Sequence, residues 1–345
     1  MSFILKDLSI ITVHDRDSET FSRYLDSLGS ITASYFTFEV IVVDNSNQNE
    51  KMAQFRQCYP NFNFISNSGN FGLAHGNNLG AAQSNGKYLL FLSPDTLVSE
   101  RALMAMLDQA KVSRANSIIS CRLVKENWTS CKSFGLFPSA LTLTGWSSKL
   151  AKLFKLIVNP SQNERFVFPD WVSGSVMMMS KTTFNAIGKW NERFWLHYQD
   201  IDLCLRAKKM GGCISLLKTV SMVQPIDKLY RFNVELESLK KTEFNISRHE
   251  YFSIHENGLK EVLIHIFLVL NNLVLGFFLA IPGLILFSNK RCMIAVRAYY
   301  KLLHYYFKAF LLDTWISPRS LKHPEAFTLR VGKSENFATF RDDNG

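Results

Sequence analysis

The sequence predicts an α/β fold, in which a mostly parallel sheet is flanked by helices and is followed by an apolar helical region. Short β-branched runs alternate with helical stretches in the first half of the chain, and polar residues follow each run. The composition becomes apolar and aromatic toward the other end. We expect a domain over residues 1–255 and a helical region with a polar tail over residues 256–345.

Composition and charge narrow the class of protein. The chain has 345 residues, of which 47% are hydrophobic, so it can bury a large core. Its formal net charge of +10 suits a phosphorylated ligand, nucleic acid or an anionic membrane surface, and charge alone does not choose among them. Six scattered cysteines with no CxxC pair, and a start without a secretory signal, predict reduced thiols in the cytoplasm.

The first elements have the pattern of a βαβ unit. Apolar β-branched runs at residues 8–13 and 39–43 flank a helical stretch over about 18–28, which predicts parallel strands. A third run at 62–65 leads into a Gly/Asn-rich loop and a helix over 74–84. A buried strand over 87–92 follows.

Acids follow three of these strands, at Asp15, Asp44 and Asp95. Parallel strands end at one edge of a sheet, and ligands of open α/β sheets bind there. Asp, Asn, Ser and Pro are also ordinary turn residues, and a turn is the usual explanation for any one of these positions alone. Their joint occurrence beside the Gly/Asn-rich loop indicates a nucleotide site.

Two common nucleotide-binding classes do not fit. The GxxxxGK[ST] phosphate loop is absent from the sequence. The glycines at 69, 72, 76 and 80 do not have GxGxxG spacing. A nucleoside triphosphatase and a dehydrogenase are therefore disfavoured.

Four segments in order carry a resemblance to a known family: SIITVHDRD, VIVVDNSN, GNFGLAHGNNLGAAQSNGKYLLFLSPDT and WVSGSVMMMSKTTFNAIGKWNERFWLHYQDIDLCLRAKKMGG. Together they resemble the family 2 glycosyltransferases over about residues 6–255, most closely the bacterial rhamnosyltransferase-like branch. The resemblance implies a Rossmann-like GT-A fold, a nucleotide-diphosphate sugar donor and inversion at the anomeric carbon. It also implies a divalent metal, Mg²⁺ or Mn²⁺.

The resemblance assigns the donor site residue by residue. Asp44 matches the acid that holds the base, and Asp95 matches the metal-binding acid. The segment that lines the nucleotide corresponds to Asn70, Gly72, Gly76 and Asn77. The family has DxD or NPDT at the metal site, whereas this chain has SPDT, so only the last acid is retained. One carboxylate suffices where the diphosphate supplies further ligands.

The resemblance also assigns an acceptor side. Asp200 matches the base that deprotonates the acceptor hydroxyl, although capping is the usual reason for an acid at a helix start. Trp171 and Gly174 match residues near donor and acceptor, and a tryptophan also commonly lies in the core. The remaining substrate-binding assignments are Gln199, which replaces a family Glu, and Arg248, which either faces phosphate or covers a helix. Asp202 and Arg206 are expected to pair along the helix surface.

The chain departs from the family pattern at Ser93, Asn191 and Gln199, and Gln224 stands where many relatives have a histidine. These departures support an alternative, a catalytically impaired subunit that binds a nucleotide sugar or a lipid-linked glycan.

The apolar run over 262–287 is long enough to cross a bilayer, but polar residues and a proline interrupt it. A span, a re-entrant hairpin and a buried helix pair all stay open. Basic residues among aromatics follow it and suit a headgroup layer: Lys290, Arg291, Arg297, Lys301 and Lys308. Such a stretch can bind RNA, but no RNA-binding signature accompanies it, so we expect no nucleic-acid partner.

The sequence therefore predicts transfer of a sugar, with L-rhamnose as a candidate, to a lipid-linked or cell-surface glycan such as O-antigen or capsule. The expected location is the cytoplasmic face of the inner membrane of a bacterium. Donor, linkage and oligomeric state depend on pocket shape and surface contacts, which sequence pattern does not specify.

Overall fold

The computed structural model describes residues 5–15, 19–32, 34–46, 49–67, 69–139, 143, 160–225, 233–285 and 289–325. The chain forms two compact units. The first comprises Met1–Asn191 with Gln199–Asp227, and the second comprises Glu192–Tyr198 with Lys228–Gly345. Residues 234–255, which the sequence groups with the first domain, belong to the second of these units. The predicted division at residue 255 itself stays a prediction.

The first unit alternates strands and helices in chain order. Its elements are β1 (Lys6–His14), α1 (Glu19–Gly29), β2 (Phe38–Asp44), α2 (Asn49–Cys58), β3 (Asn63–Ser66), α3 (Leu73–Gln83), β4 (Gly86–Leu92), α4 (Glu100–Val112), β5 (Ile118–Val124), β6 (Phe134–Gly135), β7 (Ser161–Gln162), β8 (Phe166–Phe168), β9 (Trp171–Val172), β10 (Val176–Ser180), α5 (Lys181–Ala186), α6 (Gln199–Lys209) and β11 (Ile214–Val223).

Within the described residues, nine strands form one sheet in the order β3-β2-β1-β4-β10-β5-β11-β8-β7. The pairs β1–β2, β1–β4, β2–β3 and β5–β11 are parallel. Strand β10 is antiparallel to both of its neighbours, β4 and β5. Six strands, β1 to β5 and β11, therefore end at the same edge, and β10 begins there. The predicted mostly parallel α/β sheet is confirmed.

The predicted strand over WVSGSVMMMS is two strands, β9 and β10, separated by a turn at residues 173–175. Its second half is a continuous buried run because β10 lies inside the sheet and both of its faces are covered.

Two apolar layers cover the two faces of the sheet. On one face, α1 and α4 pack through residues such as Phe21, Leu25 and Leu103. On the other face, Ala74 of α3, Phe184 of α5 and Leu203 of α6 belong to a second cluster. Alternate residues of each strand feed the two clusters, so the strands are apolar on both sides, as the β-branched runs predict.

The Asp202–Arg206 pair forms as predicted, but it is not at the surface. Asp202 has no solvent exposure, and its Oδ2 lies 2.6 Å from Nη2 of Arg206. Arg206 also donates to the carbonyl of Ile187. The pair is therefore buried, and losing one partner would leave an uncompensated charge.

The second unit contains three long helices: α7 (Val234–His255), α8 (Gly258–Ile285) and α9 (Lys290–Leu312). Helix α8 is continuous through His265, Asn271, Asn272 and Pro282, the residues expected to interrupt the apolar run. Residues 286 and 287 of that run lie outside the described residues. Helices α8 and α9 approach closely at Gly276, where an added Cβ would lie 2.7 Å from the Tyr299 ring.

The start of β4 tolerates only glycine. A Cβ at Gly86 would lie 2.4 Å from the backbone nitrogen of Ser9 and 2.7 Å from the carbonyl carbon of Leu8. We expect Gly86→Ala to destabilise the protein by about 1–3 kcal/mol, since the β1 backbone cannot yield as a side chain can. Chemical denaturation followed by circular dichroism measures this.

Gly29→Ala is the matched control, because a Cβ there meets only the Tyr59 ring at 3.8 Å. Equal unfolding midpoints for the two variants would contradict the proposed close approach of β1 and β4.

Candidate active site at the carboxyl edge of the sheet

The acids predicted to share an edge do so. Asp15 and Asp44 end the parallel pair β1–β2, and His14 pairs with Asp44 in register. Asp95 follows β4, which is the other parallel neighbour of β1. The hydroxyl of Thr12 donates to the carbonyl of Leu92 at 2.7 Å and fixes these strand ends side by side.

Asp44 is buried at the end of β2, with 2% exposure. Its Oδ1 accepts hydrogen bonds from the N–H and the hydroxyl of Ser46 at 2.8 and 2.6 Å, and it lies 3.5 Å from Nδ1 of His14. Burial raises the pKa of Asp44, but the contacts with His14 and Ser46 outweigh burial, so its net pKa lies below the ordinary value. The group is therefore an ionised acceptor, as recognition of a base N–H requires.

The Gly/Asn-rich loop is tied to this strand end. Asn45 Nδ2 donates to the carbonyl of Gly72 at 3.3 Å, and Asn67 Nδ2 donates to Oδ1 of Asn45 at 2.9 Å. Asn70 Oδ1 accepts from the N–H of Gly72 at 3.2 Å. The loop predicted to line a nucleotide thus lies next to the predicted base-binding acid.

Gly72 sets the start of helix α3. Its φ of 94° lies in the left-handed region that favours glycine. Gly72, the N-cap residue, supplies no side-chain cap to the first turn of α3, as in helix starts that bind anions.

The structure explains Gly76 by packing. An added Cβ would lie 2.8 Å from both methyl groups of Val13 in β1, so the glycine lets α3 press against the sheet. Asn77 is half-buried in the first turns of α3. Nucleotide contacts by these two residues stay predictions.

Asn78 has a role that the sequence did not reveal. Its side chain donates to the carbonyl of Trp190 at 2.9 Å and accepts from the N–H of Trp190 at 3.1 Å. It thereby fixes α3 to the segment before α6. No local sequence signal marks this contact, which joins residues 112 positions apart.

Asp95 lies in the turn that follows β4, where the N–H of Thr96 donates to the carbonyl of Ser93 at 3.1 Å. Nε2 of Gln224, which directly follows β11, lies 3.2 Å from each oxygen of the Asp95 carboxylate. The residue that replaces the family histidine therefore holds the predicted metal-binding acid. The sequence indicated Gln224 only as a departure and did not predict this contact.

Asp200 is brought to the same edge through the turn before β10. Its Oδ2 accepts the N–H of Gly174 at 3.1 Å, and its Oδ1 accepts the N–H of Ile201 at 2.9 Å. The next residue, Ser175, accepts the N–H of Ser93 at 2.9 Å, two positions from Asp95. A short chain of backbone contacts thus links Asp200 to Asp95.

Burial raises the pKa of Asp200 above its ordinary value, and the N–H donors of Gly174 and Ile201 offset only part of that effect. A carboxylate with a raised pKa is a stronger base than an exposed aspartate. The environment therefore suits proton abstraction.

Trp171 and Gln199 have different surroundings. Trp171 Nε1 donates to the carbonyl of Leu136 at 2.9 Å, and its half-buried ring lies against Gly135. Gln199 is buried at the start of α6, and its side-chain oxygen has no hydrogen-bond partner among the described residues. An unsatisfied buried amide oxygen is costly and is typical of a site that a ligand completes.

Arg248 lies in the second unit, where its guanidinium is 5.9 Å from the centre of the Phe244 ring. Its assignment to phosphate stays a prediction.

The donor set at Asp95 can be compared with what a divalent cation needs. Among the described residues, no group of three or more His, Cys, Asp and Glu side chains is placed to hold a metal ion. The Asp95 carboxylate supplies hard oxygen ligands, and the amide nitrogen of Gln224 holds it in place. These ligands fit a cation that a diphosphate also coordinates, as Mg²⁺ and Mn²⁺ commonly are.

Comparison with known proteins extends over this site. The family model described as "Glycosyl transferase family 2" matches residues 9–154, which include Asp44 and Asp95. The low-salt glycan biosynthesis hexosyltransferase Agl10 of Haloferax volcanii is 27% identical over 233 residues, which are 65% of this chain and 70% of Agl10. The rhamnosyltransferase WbbL of Escherichia coli K12 is 23% identical over 209 residues, which are 59% of this chain and 77% of WbbL.

The fold has a similar solved structure. The crystal structure of GalNAc-T7 with UDP, GalNAc and Mn²⁺ matches with a TM-score of 0.51 and 13% identity. The match covers 65% of this chain and 44% of that protein, so it bears on the fold alone. The strand order, the family match and these relatives agree: the chain contains a glycosyl transferase family 2 domain with the GT-A fold.

Proposed function

We propose that this protein is an inverting glycosyltransferase that moves a hexose, with L-rhamnose as the first candidate, from a nucleotide-diphosphate donor to a glycan acceptor. One observation supports this most strongly. Asp200, an acid with a raised pKa, is linked through Gly174, Ser175 and Ser93 to the turn that carries Asp95. Asp200 would be the base, and Asp95 would be the acid that holds the diphosphate through a metal. A direct displacement requires both groups at one edge.

The donor would lie along the carboxyl edge. Asp44 would accept an N–H from the base, and the loop from Asn67 to Gly72 would enclose the nucleoside. The uncapped start of α3 would face negative charge. Asp95, positioned by Gln224, would hold a divalent metal, which when bound neutralises charge on the diphosphate leaving group.

In the transfer step, Asp200 would take the proton of the acceptor hydroxyl. The hydroxyl oxygen forms a bond to the anomeric carbon, the bond from that carbon to the phosphate oxygen breaks, and the nucleoside diphosphate leaves with the electron pair. Attack from the side opposite the leaving group inverts the anomeric carbon. The unpartnered oxygen of Gln199 would accept a second hydroxyl of the substrate.

The acceptor in this proposal is a lipid-linked or cell-surface glycan, such as O-antigen or capsule, at the cytoplasmic face of a bacterial inner membrane. Two relatives, a hexosyltransferase of glycan biosynthesis and a rhamnosyltransferase, support the reaction class. The apolar helix α8 supports a location at a membrane.

The first prediction concerns Asp200→Asn. We expect sugar transfer to fall by about 10²–10⁴-fold, because the base is lost. The amide oxygen of asparagine can accept only one of the two N–H groups, and this loss opposes the removal of a buried charge, so thermal stability at neutral pH should stay close to that of wild type. Product formation from a panel of nucleotide sugars, together with a thermal unfolding midpoint, measures both effects.

Asp202→Ala is the matched comparison on the same helix. It should lower stability by about 3–5 kcal/mol, because Arg206 would lose its buried partner. Transfer by Asp200→Asn at the wild-type rate would exclude Asp200 as the base. Donor binding without transfer or hydrolysis by the wild-type protein would instead favour a nucleotide-sugar binding subunit.

The pH dependence of transfer follows from the same carboxyl. Asp200 must be ionised to act as a base, so kcat/KM should fall as the pH drops through its pKa. Because burial raises that pKa, we expect the acid limb above the range of an ordinary aspartate, whose pKa is about 3.9. A limb at or below that range in a pH profile would contradict the assignment.

Gln224→Ala is expected to weaken the divalent metal dependence of transfer. Removing an amide that holds a metal-binding carboxylate typically costs about 10–100-fold in metal affinity. Transfer measured against Mg²⁺ or Mn²⁺ concentration should show the shift, with rates recovering at high metal. The exposed Gln83→Ala serves as control, and equal metal curves for the two variants would be the contrary result.

A further inference from the structure

Helix α8 exposes apolar side chains and keeps its polar side chains inside, which is the opposite of a surface helix in water. Between residues 261 and 278, every exposed side chain among those described is apolar: Val262, Leu263, Ile266, Leu270, Val274, Phe277 and Phe278. They recur at intervals of three and four and form one face. The polar residues His265, Asn271 and Asn272 are not exposed. Only 18% of the apolar stretch Gly258–Phe278 is buried, so it is not a core helix.

The polar side chains of α8 are held on its inner side. Nδ1 of His265 lies 2.9 Å from Nδ1 of His249 in α7. Nδ2 of Asn272 donates to the hydroxyl of Tyr306 in α9 at 2.7 Å, and Nε2 of His249 lies 3.0 Å from the same hydroxyl. Trp315 stacks on both imidazoles, with ring centres 4.4 Å apart in each case. These contacts fix the rotation of α8 and point its apolar face outward.

Helix α9 adds to the outward apolar surface. Its exposed apolar and aromatic side chains recur at helical spacing: Tyr300, Leu303, Phe307, Phe310 and Leu311. Amphipathic aromatic side chains of this kind are enriched at the boundary between lipid and water.

Three of the basic residues predicted to meet headgroups are engaged within the unit instead. Arg297 and Lys301 pair with Glu235, and Lys308 pairs with Glu325. Lys290 and Arg291 are exposed at the start of α9.

Helix α7 determines how such a surface can meet a bilayer. It lies along α9, since Lys301 contacts Glu235 and Ser238, and Tyr306 contacts His249. The same part of α9 faces α8, at Asn272 and Gly276. A bilayer crossed by α8 would therefore enclose exposed or half-exposed charged residues of α7 at the same depth, which include Glu235, Glu237, Lys240 and Lys241. Charged side chains in hydrocarbon are unfavourable.

We propose that the outer face of α8 and α9 docks into one leaflet of a lipid bilayer, with the helix axes along the membrane plane, and does not cross it. The face is apolar enough to enter hydrocarbon, and α7 keeps the opposite side in water. The proposal rests on the membrane location given with the proposed function, and it differs from the span, the re-entrant hairpin and the buried helix pair that the sequence left open.

Flotation with vesicles of phosphatidylethanolamine and phosphatidylglycerol tests the docking face. Wild-type protein should float, and Leu270→Glu should lower vesicle affinity by roughly tenfold or more, since a charge replaces a side chain that enters lipid. Val274→Glu on the same face should behave likewise. Val112→Glu is the control, since Val112 is 78% exposed on α4 of the first unit.

Equal flotation of the α8 variants and wild type, or no flotation of wild type, would overturn the proposal. So would a wild-type dimer in sedimentation that Leu270→Glu converts to a monomer without any vesicle binding, because a second copy would then cover the face.

Side-specific labelling separates docking in one leaflet from a span. Lys260→Cys and Arg291→Cys place thiols at the exposed starts of α8 and α9, in a Cys58→Ser background that removes the exposed native thiol. In membranes of expressing cells, a membrane-impermeant maleimide should reach both positions from the same side. Labelling of the two positions from opposite sides would show that α8 crosses.

The two proposals fail separately. Donor hydrolysis by Leu270→Glu in detergent should equal that of wild type, because residue 270 belongs to the second unit and the acids at the sheet edge belong to the first. Normal vesicle binding with no sugar transfer would refute the proposed enzyme activity and leave the proposed docking surface intact. Normal sugar transfer with no vesicle binding would refute the docking surface and leave the enzyme activity intact.

Discussion

The first unit depends on the reversal of one strand. Strand β10 is inserted antiparallel between β4 and β5, with Met178 facing Leu90 on one side and Ile119 on the other. Because β10 runs against its neighbours, its first residue, Val176, meets the last residue of β4, Leu92. The turn that carries Gly174 is therefore placed beside the turn that carries Asp95, and the N–H of Gly174 holds Asp200. A parallel β10 would leave that turn at the opposite edge, and the two acids would lie a strand length apart.

Local sequence patterns predicted the strands, their common edge and the loop of this site. The run before Asp44 is β-branched and the run before Asp95 is apolar and aromatic, so the strands and their common edge could be expected from the sequence. Gly72 and the asparagines around it marked a loop for the same reason. The contact of Gln224 with Asp95 joins residues 129 positions apart, and the contact of Gly174 with Asp200 depends on the direction of β10. Periodicity contains no information on either, so only the folded chain reveals them.

Two acids on helix α6 have different roles because their surroundings differ. Asp202 is fully buried, and its Oδ2 accepts from both Nε and Nη2 of Arg206, which compensates its charge and fixes the helix to the segment at Ile187. Asp200 is two residues away and is held by backbone N–H groups, so burial dominates and its pKa rises. Asp202 therefore has a structural role, whereas Asp200 gains basicity through burial at some cost in stability. The sequence pattern D-x-D does not distinguish the two acids, but their partners do.

The two units differ in how they place polar and apolar side chains, although both bury apolar residues. The sheet of the first unit is covered on both faces by apolar side chains, and the hydrophobic effect in water favours this arrangement. In the second unit, His249, His265, Glu243 and Glu250 are buried, while leucine, valine and phenylalanine side chains of α8 face outward. In water alone, burying these ionisable residues would be costly, and exposing the apolar side chains of α8 would not lower the free energy. A solvent that is hydrocarbon on one side and water on the other favours both, because only then does turning the polar groups of α8 inward lower the free energy.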